Sequence, residues 1–110
     1  MSNVVKEIEV DLEDAKAAVA KSEALERLHQ NKDFKEVVLQ GYFRDHAADL
    51  TSLLAHPAMT QQRELILRSI EAVGETQQYF STVFQQGAMQ AEAISQHETA
   101  LSELAEEGEL

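Results

Sequence analysis

The stretch that decides the fold is Gln61–Glu106, QQRELILRSIEAVGETQQYFSTVFQQGAMQAEAISQHETALSELAE. From Ile66, the positions Ile70, Val73, Gln77, Phe80, Phe84, Gly87, Ala91, Ile94, Glu98, Leu101 and Ala105 alternate by four and three. That is a heptad rhythm, the signature of a long helix packed along a partner as in a coiled coil. At 1.5 Å per residue such a helix is about 69 Å long, too long for a compact globule. Gln77 and Glu98 put polar groups on the seam, where they set register at some cost in stability. Gly74 and Gly87 lower helix propensity, so a helix divided near Gly87 is the alternative.

Two further helices precede it. Over about 6–30, Ile8, Leu12, Ala15, Val19, Leu25 and Leu28 recur every three or four residues and form one apolar stripe. Asn31-Lys32-Asp33 breaks the pattern, and Asp33 with Glu36 reads as a capping box for a helix over 33–55. Leu39, Phe43, Ala47, Leu50 and Leu54 share one face of that helix, widened by Val38 and Tyr42, and His56-Pro57 ends it. The acidic tail 103–110 is expected to fray. The fold class is therefore all-α, a single domain over 1–110. It is an elongated helical hairpin or three-helix bundle with one long heptad-patterned C-terminal helix.

Composition agrees with this and excludes much else. The 110 residues carry 9 Lys+Arg against 20 Asp+Glu, a formal net charge of −11. Such acidity disfavours direct binding to nucleic acid or an anionic membrane. There is no Cys, which removes disulfides, thiol nucleophiles and cysteine-ligated metals. One Pro and four Gly argue against a turn-rich β fold. Arg68 is the last basic residue; Glu71 to Glu109 supply eight acidic ones beyond it.

Candidate chemistry is sparse. Glu26 and His29 have the Glu-x-x-His spacing of di-iron bundles, but that site needs two such pairs, and this one reads as a solvated helix end. Asp45, His46 and Asp49 fall within one turn yet read as a polar outer face, and His97-Glu98 lacks the second His of a zinc protease. No nucleophile elbow or phosphate-cradling loop occurs. Neither catalysis, nor a cofactor, nor a metal, nor a small-molecule substrate is expected. The candidate residues are for protein interaction: Tyr42, Phe43 and Arg44 beside Gly41, then Tyr79, Phe80 and Phe84, then Ile94 and Leu101 on the seam.

The run Lys32-Asp33-Phe34-Lys35-Glu36-Val37-Val38, then Gly41-Tyr42-Phe43, Leu50–Leu54 and Pro57, resembles small acidic helical proteins of tailed bacteriophages. The stretch with Ile70, Gln78-Tyr79-Phe80 and Gly87 is similar as well, so the resemblance spans roughly residues 12 to 105. It implies a protein made in a bacterial cytoplasm, incorporated in the virion or assisting its assembly. The expected function is a non-enzymatic structural or assembly protein that self-associates and packs its helices on another phage structural protein. The alternative is an acidic inhibitor that mimics nucleic-acid charge and blocks a basic host enzyme.

Overall fold

In the computed structural model, which describes residues 2–108, every regular element is a helix and no strand occurs among the described residues. The first helix, α1, covers Ser2–Gln30 and contains neither Gly nor Pro, so nothing interrupts its hydrogen-bond ladder before Asn31. At Asn31 the backbone turns extended (φ −72°, ψ 130°), and the side-chain Oδ1 accepts a hydrogen bond from the Phe34 amide at 2.9 Å. Asn31 is thus the cap of the next helix, two residues ahead of the expected Asp33, which already sits in the first turn.

That second helix has three parts. A short α2 (Lys32–Phe34) leads into a π-helical stretch (Lys35–His46), and α3 (Ala47–Leu54) restores the ordinary winding. A π-helix closes i→i+5 hydrogen bonds and is normally a single turn. Here the side-chain spacing suits it: Phe34, Val38 with Leu39, Phe43 and Ala47 recur at intervals of four to five and all are half-buried. At 3.6 residues per turn these positions drift off one face. The wider turn keeps them together.

His56 is extended (φ −82°, ψ 123°), as a residue before proline must be. Its Nδ1 accepts from the Ala58 amide at 3.2 Å and opens a 3-10 turn, Pro57–Gln62. From there α4 runs unbroken over Arg63–Glu106, passing through Gly74 and Gly87 without a break. It stops at Gly108, whose φ of 79° takes the left-handed conformation common just past a helix end. The expected fraying tail is helical through Glu106; Glu109 and Leu110 lie outside the described residues.

The burial pattern on α4 corrects the expected seam. The column Val73, Phe80, Gly87, Ile94 and Leu101 faces inward as expected. Its companion column keeps Ile70 and Phe84 half-buried but is otherwise displaced by one residue: Gln77, Ala91, Glu98 and Ala105 are exposed, while Thr76, Gln90, His97 and Leu104 are half-buried. Val83 is buried beside a half-buried Phe84. The displacement has a physical cause, because it keeps the Glu98 charge in water and brings Val83 and Leu104 inward. Thr76 tolerates its position because its hydroxyl donates back to the Ala72 carbonyl at 2.9 Å.

The chain forms two compact units. One combines Met1–Leu25 with Thr82–Leu110. Its buried side chains are Ala15, Leu25 and Val83, with Ile8, Leu12 and Val19 half-buried on α1. Small residues let its two helices approach closely. A Cβ built on Gly87 would collide with Cβ and Oγ of Ser22, and would lie 3.7 Å from the Ala18 carbonyl oxygen.

The other unit is Glu26–Ser81, and it contains a helical hairpin turned at 56–62. Leu50, Ile66 and Val73 form its core, with Phe43, Ala47, Leu54, Met59 and Ile70 packed around them. Each such buried aliphatic side chain contributes about 1.5–3 kcal/mol. Leu28, expected on the apolar stripe of α1, is 47% exposed in this unit, and His29 turns inward in its place.

Candidate protein-interaction surface

Phe80 stands at the centre of an aromatic cluster in Glu26–Ser81. Its ring meets Phe43 edge-on at 5.4 Å, His29 edge-on at 5.7 Å, Phe34 at 6.0 Å and Tyr79 at 6.1 Å. His29 and Phe34 also pack on each other at 5.4 Å. These are the tilted and edge-to-face arrangements that ring quadrupoles favour, each worth about 0.5–1.5 kcal/mol beyond area. The elements explain the meeting: His29 lies in the last turn of α1, Phe34 closes α2, Phe43 lies two wide turns later in the π-helical stretch, and Phe80 lies in α4 far from the hairpin turn.

Of the eight candidate residues, the structure gathers four here. Tyr42 and Phe43 are half-buried neighbours at 5.6 Å, and Phe80 and Tyr79 complete the group. Tyr42 also stacks on His46 at 5.8 Å with only 17° between the rings. Tyr79 differs from the others because it is 56% exposed and offers its ring to solvent. Arg44 points outward and pairs with its neighbour Asp45 at 3.0 Å, a wet contact of little energy. Phe84, Ile94 and Leu101 are half-buried in the other unit.

His29 and Phe34, neither of them expected in the site, belong to it. His29 is not the solvated helix end that its pairing with Glu26 suggests: it is half-buried among rings, while Glu26 is exposed. Phe34 was hidden by reading Asp33 as the cap. The available signal was the four-to-five spacing from Phe34 through Val38 and Leu39 to Phe43, which no ordinary helix period explains.

Asp45, His46 and Asp49 are exposed, and among the described residues no three His, Asp or Glu side chains come close enough to hold a metal ion. All the acidic residues of α4 beyond Arg68 are exposed: Glu71, Glu75, Glu92, Glu98, Glu103 and Glu106. Among the described residues, no helix is long and apolar enough to cross a membrane. What the arrangement offers chemically is apolar and aromatic surface beside exposed charge, the material of helix–helix recognition. No family model, curated protein or solved structure matches the chain.

Proposed function

We propose that this chain is a non-enzymatic assembly protein that works by packing its helices against a second copy and against another structural protein. The observation that carries this reading is a thin core. Among the described residues the buried hydrophobics are only Ala15, Leu25, Leu50, Ile66, Val73 and Val83, while Val37, Leu65, Tyr79 and Met89 are each more than half exposed. Association with other helices is the natural way to cover that apolar surface. The resemblance to helical proteins of tailed phages supplies the setting, a virion or its assembly intermediate in a bacterial host.

A second reading is favoured by one observation, the uniformly acidic charge of α4 after Arg68. In it the chain occupies the basic cleft of a nucleic-acid enzyme. Affinity capture of the tagged protein from infected cells, at low and at moderate salt, separates the two. Particle proteins retained at moderate salt support assembly through apolar packing. One basic host enzyme, lost as salt rises, supports charge mimicry and overturns assembly.

A further inference from the structure

One edge of α4 within Glu26–Ser81 is left uncovered by the hairpin. Ile66, Val73 and Phe80 face inward, and the residue before each of them forms a parallel line one place round the helix: Leu65, Ala72 and Tyr79. Leu65 is 63% exposed, Tyr79 is 56% exposed and Ala72 is exposed. Residues seven apart share a face, so these three form one apolar edge about 21 Å long at 1.5 Å per residue. Arg68 and Glu75 flank it, also seven apart and both exposed.

We propose that this edge docks against the same edge of a second copy, with the two helices antiparallel about a two-fold axis at Ala72. The inference rests on the reading of the chain as a self-associating protein and names the surface it uses. The edge is complementary to its own reverse. Turning one helix about Ala72 sets Leu65 of each copy against Tyr79 of the other, a large aliphatic against a large ring. The two Ala72 side chains meet at the crossing, where their small size lets the backbones approach.

Charge selects the same arrangement. In the antiparallel pair Arg68 of each copy lies beside Glu75 of the other, so two opposite-charge contacts form. In a parallel pair the Arg68 and Glu75 flanks of the two copies fall on opposite sides of the seam, and neither contact forms. Arg68 is already held on its own helix, with Nη2 donating to Glu64 Oε1 at 2.8 Å. A guanidinium has five N–H donors, so it reaches a second carboxylate without releasing the first. Four helical turns make a small contact, which places the dimer among weak, concentration-dependent interfaces.

The chain has no Cys, so a single introduced thiol reports on one contact. Ala72→Cys is compared with Gln78→Cys, another exposed position of α4, under mild oxidation, with sedimentation equilibrium run on the unoxidised wild type. A disulfide needs the two Cα atoms within about 7 Å. The proposal expects A72C to form a linked dimer and Q78C to form at least about tenfold less, as two-fold contact at Ala72 requires. It also expects Arg68→Glu and Glu75→Arg each to weaken dimerisation by about tenfold, with the double variant restored to within about threefold. A wild type that dimerises while A72C links no better than Q78C overturns this surface and leaves self-association standing. A wild type that stays monomeric overturns both.

Discussion

Gly87 of α4 lies so close against Ser22 of α1 that a methyl group at position 87 has no room: it would overlap both Cβ and Oγ of the serine. Gly74, on the same helix, has open space where its Cβ would be. Two glycines of equal helix propensity therefore respond in opposite directions to the same change. Gly74→Ala is expected to stabilise the protein by up to about 1 kcal/mol, the propensity difference. Gly87→Ala is expected to destabilise it by about 1–3 kcal/mol, because overpacking outweighs that gain. Urea unfolding of both variants checks the signs, and Ser22→Gly combined with Gly87→Ala is expected to recover most of the loss.

The wide turn at Lys35–His46 makes a parallel case. A Cβ on Gly41 would lie 3.0 Å from the Glu36 carbonyl oxygen, the backbone acceptor five residues earlier. Backbone cannot step aside as a side-chain tip can. Gly41→Ala is therefore expected to destabilise by about 1 kcal/mol despite alanine's better propensity. A stabilised variant in thermal unfolding contradicts the π-helical winding.

These glycines show where the sequence was legible and where it was not. The heptad column Val73, Phe80, Gly87, Ile94 and Leu101 could be read directly, and so could the end of α4 at Glu106; its start at Arg63 comes two residues after the expected Gln61, because the 3-10 turn runs through Gln62. Its companion column could not be placed, because Gln77 and Thr76, or Ala91 and Gln90, are equally plausible one residue apart. Only the cost of burying Glu98 decides between them. The aromatic cluster was half visible. Phe43 and Phe80 were evident, but His29 and Phe34 meet them only through the Asn31 cap and the wide turn that follows.

That cap yields its own prediction. Asn31→Ala removes the side-chain acceptor of the Phe34 amide and is expected to cost about 1 kcal/mol, whereas Asp33→Ala is expected to cost less than half of that. Comparing their unfolding midpoints tells which residue caps the helix; a larger loss at Asp33 contradicts the Asn31 cap.

Phe80 and Tyr79 are neighbours with separate tasks. Phe80→Ala takes away the ring that joins His29, Phe34 and Phe43, and is expected to destabilise by about 3 kcal/mol. Tyr79→Ala trims a mostly exposed ring whose ring contact is with Phe80, and is expected to cost no more than about 1 kcal/mol, well below the loss at Phe80. Its effect belongs to association: circular dichroism is expected to find the Tyr79 variant folded while its dimer weakens.

Self-association is tested most directly by sedimentation equilibrium of the wild-type chain, from low to high micromolar concentration. It predicts an average mass that climbs from the 12.3 kDa monomer toward twice that value, and a Tyr79→Ala variant that needs more protein to make the same climb. A wild type that keeps the monomer mass over the whole range contradicts it.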